Sequence, residues 1–214
     1  PDYAVLIPEL VKGLPYKFFV TSSIDALIHA IESFVSPKSN TYTELFSVKA
    51  IELILNGYVK ILEKGKEYRT EIIEDFLVAS NYAGIAFSNT GTGPVHALSY
   101  PLGGIYHVTH GEANYQMFVE VFKTYNRKHP EGKIKDINKV LASILGCNTD
   151  IVYEELTVVL DKLLSRKPLK EYGMKVEEIE IFTDSVIASQ QRLLVNSYTP
   201  LSREDIMGIY MNLY

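Results

Sequence analysis

Histidines are concentrated in one glycine-rich stretch of the chain, residues 89–111. This stretch contains His96, His107 and His110, which are three of the five histidines in the sequence. It lies within a longer segment, residues 70–122, that contains no lysine or arginine. Imidazoles bind a cation without adding positive charge, and glycines let the backbone come close to a buried group. The composition of this stretch therefore indicates a buried polar site.

Two pairs of side chains have the spacing of a metal site. Asp25 and His29 are four residues apart, so on a helix they share one face with about 5–6 Å between their Cβ atoms. His96 and His110 are fourteen residues apart across a break with proline and glycine, which allows both imidazoles to turn toward a common point. Three nitrogens and one carboxylate oxygen suit Zn²⁺ or Fe²⁺ and leave room for a substrate oxygen.

The first pair also has a purely structural interpretation. Ser22 fits a helix N-cap, and Asp25, three residues later, could be only its partner in a capping box. His29 shares a helix face with Glu32 and Ser36, and this face could be ordinary solvated surface. The spacing of Asp25 and His29 alone does not decide between the two interpretations.

The overall composition excludes several classes of function. The chain has 214 residues, a net charge of −5 and a pI of about 5.6. It has no basic stripe, so a nucleic-acid partner is not expected. Cys147 is the single cysteine, so no internal disulfide can form and a reducing cytoplasm is the expected location. We identify no signal peptide and no apolar run of the roughly 18 residues needed to span a bilayer, so no membrane partner is expected.

Apolar residues recur at helical spacing along most of the chain, and strand-like alternation is nearly absent. The predicted helices cover residues 21–36, 43–63, 70–87, 95–100, 110 through at least 122, 133–145, 150–165, 175–190 and 202–213. We expect Pro101, with Gly103 and Gly104, to end the fourth of these helices. Ser202 and Asp205 have the spacing of a capping box before the last helix. The sequence thus predicts an all-α helical bundle of eight or so helices.

Two central motifs and the C-terminal end of the chain resemble one protein family. Residues 25–32 (Asp-Ala-Leu-Ile-His-Ala-Ile-Glu) are similar to a motif of the iron-dependent (group III) alcohol dehydrogenases. So are residues 93–114 (Gly-Pro-Val-His-Ala-Leu-Ser-Tyr-Pro-Leu-Gly-Gly-Ile-Tyr-His-Val-Thr-His-Gly-Glu-Ala-Asn) and residues 196–206 (Asn-Ser-Tyr-Thr-Pro-Leu-Ser-Arg-Glu-Asp-Ile). The resemblance extends over nearly all of the chain and implies the helical domain of the dehydroquinate synthase-like, iron-containing alcohol dehydrogenase fold.

The resemblance implies a metal site and an enzymatic function. In that family an Asp and a His four apart on one helix bind the metal with two histidines fourteen apart, which here are Asp25, His29, His96 and His110. The implied cofactors are Fe²⁺ or Zn²⁺ and NAD(P). The implied reaction interconverts a primary alcohol and its aldehyde, with the metal polarising the substrate oxygen. Within the family the chain looks most like members related to 4-hydroxybutyrate dehydrogenase, so 4-hydroxybutyrate is the candidate substrate.

The family places its nicotinamide-binding domain ahead of this region, and that domain is missing here. The resemblance therefore implies an isolated C-terminal domain, which we expect to be inactive alone. We assign residues 1–20 to a remnant of the nucleotide-binding domain with its linker, and residues 21–214 to the helical metal-binding domain. The expected partners are a small alcohol or aldehyde, the N-terminal domain of the same enzyme, and a second copy in a homodimer.

Tyr100 departs from the pattern of many family members. They carry a histidine four residues after the third ligand, near the nicotinamide and the proton path, where this chain has Tyr100. A tyrosine with an ordinary pKa of about 10 is a poorer base near pH 7. The resemblance implies a catalytic role for Tyr100, or for His107, three residues before His110. The alternatives are a packed aromatic at Tyr100 and a supporting role for His107.

Other functions stay open on the sequence. A glycerol-dehydrogenase-like zinc enzyme would differ in its metal and substrate. A non-catalytic helical domain would use the same histidines only structurally. A metal-dependent hydrolase would need a general base, and the further carboxylates in the two motifs, Glu32 and Glu112, are not obviously placed as one.

Overall fold

The computed structural model describes residues 3–214, and over that range it contains helices and no strand. The α-helices are α1 (Tyr16–Val35), α2 (Thr41–Lys64), α3 (Ile73–Thr90), α4 (Pro94–Tyr106), α5 (His110–Lys128), α6 (Gly132–Leu145), α7 (Val152–Leu163), α8 (Glu178–Ser189), α9 (Gln191–Leu194) and α10 (Arg203–Leu213). The predicted all-α class is confirmed. Pro1 and Asp2, the start of the segment assigned to a domain remnant, lie outside the described residues.

Helix α1 is the central helix of the bundle. It packs against α2, α3, α5 and α6, and its residues Ile24, Leu27 and Ile31 have no solvent exposure. By length and composition this helix could cross a membrane, so the expectation that no apolar run reaches that length is wrong. However, 78% of its apolar window is buried inside the fold. A helix that is apolar on most sides is what the centre of a bundle requires.

The start of α1 differs from the prediction. The helix begins at Tyr16 rather than at residue 21, because Phe19 and Val20 are buried in the core and extend the packed face toward the N-terminus. Ser22 therefore lies inside the helix with its side chain exposed. The interpretation of Ser22 and Asp25 as a capping box is wrong.

Capping boxes start two other helices. Ser202 and Asp205 form the predicted box at the start of α10, where each side chain accepts a hydrogen bond from the backbone N–H of the other. Asn40 and Thr43 form a second box at the start of α2. This box was not predicted from the sequence, because a threonine occupies the position at which a glutamate or glutamine usually completes such a box.

Helix α4 (Pro94–Tyr106) is longer than predicted and contains Pro101 in its interior. The prediction that Pro101 ends this helix is wrong. Leu98 and Leu102 are buried on either side of the proline, and the Tyr210 hydroxyl donates to the Leu98 carbonyl over 2.7 Å. A proline removes one backbone donor, and this burial stabilises the helix beyond it.

Candidate metal centre

Three polar side chains of the site lie on one face of α1. The side chains of Asp25 and His29 are 17% and 18% exposed. Glu32 is 3% exposed, and Ser36, which caps the C-terminal end of α1, has no exposure. The interpretation of this face as solvated surface is wrong, because the end of α3 and the start of α4 cover it through hydrogen bonds to Ser36 and Glu32.

The turn between α3 and α4 places His96 against α1. Gly91 has a φ of 76°, in the left-handed region that glycine favours. A Cβ atom there would lie 2.5 Å from the side-chain nitrogen of Asn196, and that nitrogen donates to the Thr92 carbonyl over 2.9 Å. The helix then starts at Pro94, whose fixed φ suits the first helical position. His96 is thereby held in the first turn of α4.

Helix α5 brings His110 to the same point on α1. The start of α5 packs directly on the α1 backbone, since a Cβ atom on Gly111 would lie 2.4 Å from the carbonyl oxygen of Thr21. Glycine is the residue that permits this approach. The side chain of His110 is 54% exposed, which makes it the most open member of the site.

The structure brings Asp25, His29, His96 and His110 together, with one nitrogen or oxygen from each within 4.8 Å of the others. Nε2 of His96 lies 2.9 Å from Nε2 of His29. The carboxylate oxygens of Asp25 lie 4.0, 3.7 and 3.8 Å from Nε2 of the three histidines in chain order. Among residues 3–214 this is the one cluster of at least three such side chains with this geometry.

These separations fit a tetrahedral metal ion. Bonds of roughly 2.0–2.1 Å place tetrahedral donors about 3.4 Å apart, which lies inside the range of separations. The rings of His29 and His96 are stacked, with centroids 4.7 Å apart and an angle of 15° between their planes. The two Nε2 atoms are also within hydrogen-bonding distance, and a hydrogen bond between them would need a proton on one of the two. A shared cation would instead use the lone pair of each nitrogen.

Burial keeps the imidazole of His29 neutral. It lowers the pKa of His29 to about 4, with the Asp25 carboxylate opposing the shift and His96 adding to it. Phe87 stacks on the ring of His29 with centroids 4.4 Å apart. At neutral pH His29 therefore has an unprotonated nitrogen, which is the form that binds a metal.

Glu32 contacts His96, and this role of Glu32 in the site was not predicted from the sequence. Its carboxylate lies 2.6 Å from Nδ1 of His96. Burial by itself lowers the pKa of His96, but the charge of Glu32 and its hydrogen bond to the ring reverse this effect and raise it. The available signal was the position of Glu32, one turn after His29 on the same face of a helix.

Asn114 supports the site from α5. Its side-chain nitrogen donates to Oδ1 of Asp25 over 2.7 Å and lies 3.0 Å from Nε2 of His110. Its oxygen accepts from the Ser99 hydroxyl over 2.5 Å. Asn114 has no solvent exposure, and Ser99 is 1% exposed. The spacing of four residues between His110 and Asn114 could have indicated this contact.

An open cleft of about 410 Å³ leads to the cluster. Asp25, His29 and His110 line it together with Phe18 and Ser80. The buried His96 does not, so three of the four clustered side chains face the cleft. The site is therefore closed on the α4 side and open on the His110 side.

The two predicted catalytic residues are not among the residues lining this cleft. Tyr100 is 37% exposed and lines a second cleft, with Ile181 and Phe182. His107 is exposed and ends α4 with a φ of 55°, in the left-handed region. The structure thus places Tyr100 at this second cleft and His107 at the exposed C-terminal end of α4. Their catalytic role stays a prediction.

Comparison with known proteins identifies the family of the chain. Residues 19–214 match the family model described as "Fe-containing alcohol dehydrogenase family, C-terminal". The chain belongs to this family. The fold is also that of an archaeal halo-thermophilic alcohol dehydrogenase from a Red Sea brine pool, with a TM-score of 0.85 and 21% identity over 97% of this chain and 53% of that one.

Individual relatives show a narrower similarity. The chain is 69% identical to 4-hydroxybutyrate dehydrogenase of Clostridium kluyveri over 212 residues, which is 99% of this chain and 57% of the relative. It is 32% identical to long-chain-alcohol dehydrogenase 1 of Geobacillus thermodenitrificans over 214 residues, which is 98% of this chain and 53% of that relative. The chain thus spans about half the length of these relatives.

Proposed function

We propose that the chain is the metal-binding domain of an NAD(P)-dependent alcohol dehydrogenase. The observation that carries the proposal is the convergence of Asp25, His29, His96 and His110 in a chain of this family. Three imidazoles and one carboxylate suit Fe²⁺ or Zn²⁺. When bound, the metal supplies Lewis-acid chemistry at the substrate oxygen.

Neighbouring side chains orient the four metal ligands and leave one side of the metal site open to substrate. Asn114 orients the Asp25 carboxylate, and Phe87 covers one face of the His29 ring and excludes water from it. His96 is closed off by burial at 3% exposure. Substrate therefore reaches the site from the cleft beside His110.

The proposed substrate is 4-hydroxybutyrate or a similar primary alcohol, and the proposed hydride acceptor is NAD(P). Support comes from the 69% identity to the Clostridium kluyveri relative, which is named for that reaction. None of the residues lining the cleft is lysine or arginine. In this proposal a cation for the substrate carboxylate comes from the nucleotide-binding domain.

We propose that the chain divides after residue 20, as predicted from the sequence. Residues 1–20 are a remnant of the nucleotide-binding domain with its linker, and residues 21–214 are the metal-binding domain. The family match from residue 19 supports this division, although α1 begins earlier, at Tyr16. A nucleotide-binding partner domain, a homodimer and a cytoplasmic location belong to the same proposal, and the greater length of the relatives supports the first of these.

Metal titration tests the ligand assignment. We expect the metal-stripped chain to bind one Zn²⁺ or, without oxygen, one Fe²⁺. His96→Ala removes a buried ligand and should abolish tight binding. His129→Ala is the matched control, because His129 is exposed and outside the cluster, and it should bind as the unaltered chain does. Equal stoichiometry in His96→Ala and the unaltered chain would show that the assignment is wrong.

Activity of the full-length enzyme separates the remaining functions. NAD(P)-linked oxidation of 4-hydroxybutyrate supports the proposal. Glycerol oxidation with a preference for zinc indicates a glycerol-dehydrogenase-like enzyme instead. A protein that binds one metal ion and oxidises no alcohol would be a non-catalytic metal-binding domain.

A further inference from the structure

Glu32 is a buried carboxylate that connects α1 to the start of α4. It is 3% exposed. One oxygen, Oε2, accepts from the backbone N–H of Gly93 over 2.9 Å and lies 2.6 Å from Nδ1 of His96. The other oxygen, Oε1, accepts from the backbone N–H of Val95 over 2.8 Å. A single side chain therefore contacts three groups in the first turn of α4.

The two backbone contacts complete the N-terminus of α4. Its N-cap residue is Gly93, which has no side chain to satisfy the first N–H groups of the helix. The carboxylate of Glu32 takes this role from a different helix, where its negative charge also suits the positive end of the helix dipole. A Cβ atom on Gly93 would lie 3.0 Å from Oε1 of Glu32. The absence of a side chain at Gly93 is what lets the carboxylate approach.

The third contact determines which nitrogen of His96 is available. A carboxylate 2.6 Å from Nδ1 accepts a hydrogen bond, so Nδ1 carries a proton. In the neutral imidazole Nε2 of His96 is then the unprotonated nitrogen, and it lies 2.9 Å from Nε2 of His29 and 3.7 Å from Oδ1 of Asp25. The same contact fixes the rotation of the ring.

We propose that Glu32 is a positioning residue for the metal site, which selects the tautomer of His96 and holds its Nε2 toward Asp25 and His29. This inference rests on the proposed metal-binding function. The carboxylate of Glu32 thus both anchors the start of α4 on α1 and orients the metal ligand His96. Such partners of ligating histidines contribute about 10–100-fold to metal affinity.

The test is metal affinity measured by competition with a chelator, in Glu32→Gln and in a matched control. The glutamine oxygen can still accept from Gly93, but the variant loses the charge beside His96 and places an NH₂ group against a backbone N–H. Ser36→Ala is the control: Ser36 is also buried, directly after the end of α1, and donates across to the Thr90 carbonyl over 3.3 Å, away from the imidazoles. Both variants should lower the melting temperature of the metal-free chain.

We expect Glu32→Gln to raise the Kd for Zn²⁺ by about 10–100-fold and Ser36→Ala to leave it within about threefold of the unaltered chain. Equal affinities in Glu32→Gln and the unaltered chain would overturn the positioning role and leave the metal site standing. No binding by the unaltered chain would overturn the metal site and, with it, this role. If Glu32→Gln fails to fold, ¹⁵N NMR of the unaltered metal-free chain tests the proposal instead, because it reports the tautomer of His96. A single Nδ1-protonated tautomer of His96 supports the proposal, and a mixture of tautomers refutes it.

Discussion

The contact between α5 and α1 at Gly111 provides a sharp test of how the site is built. A Cβ atom on Gly111 would lie 2.4 Å from the carbonyl oxygen and 2.9 Å from the carbonyl carbon of Thr21, whereas ordinary contact begins at 3.4 Å. Both atoms of Thr21 belong to the backbone of a buried helix, so no side chain can rotate away. Gly111→Ala must therefore move the start of α5 from α1 by about 1 Å, and His110 moves with it.

The structure indicates the size of both effects. Overpacking of this kind costs about 1–3 kcal/mol of unfolding free energy, which corresponds to about 2–4 °C in melting temperature for each kcal/mol in a chain of this size. Metal bonds of roughly 2.0–2.1 Å do not tolerate a displacement of about 1 Å. We therefore expect the affinity for Zn²⁺ to fall by about tenfold or more.

Thermal unfolding and chelator competition measure the two effects in the same sample. Gly84→Ala is the matched control, since Gly84 lies in α3 and a Cβ atom there would meet nothing within 4 Å. This control should keep the metal affinity and gain up to about 1 kcal/mol from helix propensity. The reasoning is refuted if Gly111→Ala matches the control in both melting temperature and affinity.

Three further predictions concern other parts of the chain. Asp161 accepts from the Tyr115 hydroxyl and pairs with Arg166, and although burial by itself raises the pKa of Asp161, these bonds lower it overall. Asp161→Asn should therefore reduce stability at pH 7. Its difference from the unaltered chain should begin to shrink as the pH falls toward about 3.9, where an unfolded aspartate takes up its proton, and should be lost only below the lower pKa of folded Asp161. A difference of unchanged size at that low pH would contradict this. In the full-length enzyme, Tyr100→Phe should keep the fold and the metal but lower kcat/KM by about ten- to a thousandfold if Tyr100 is catalytic; unchanged turnover with a lower melting temperature would end that role. The purified 214-residue chain should form no NADH from alcohols and NAD⁺, and steady NADH formation without added protein would refute the two-domain proposal.

The amino-acid sequence was enough to predict the helical class and the proximity of residues close in sequence. Asp25 and His29 share a face of α1 because four residues make about one helical turn, and the structure has them on that face. The box of Ser202 and Asp205 was readable for the same reason, since its partners are three residues apart. The family motifs also predicted which four side chains come together, and the structure brings those four together.

Features that depend on packing between distant segments could not be predicted from the sequence. The start of α1 at Tyr16 and the continuation of α4 through Pro101 follow from burial that no local pattern specifies. A glutamate at the position of Glu32 is usually exposed on a helix surface. Glu32 is instead a buried partner of His96, because α4, more than 60 residues later in the chain, packs against it. A side chain's local sequence indicates which face of its own helix it occupies, but its environment is set by whichever helix packs on that face.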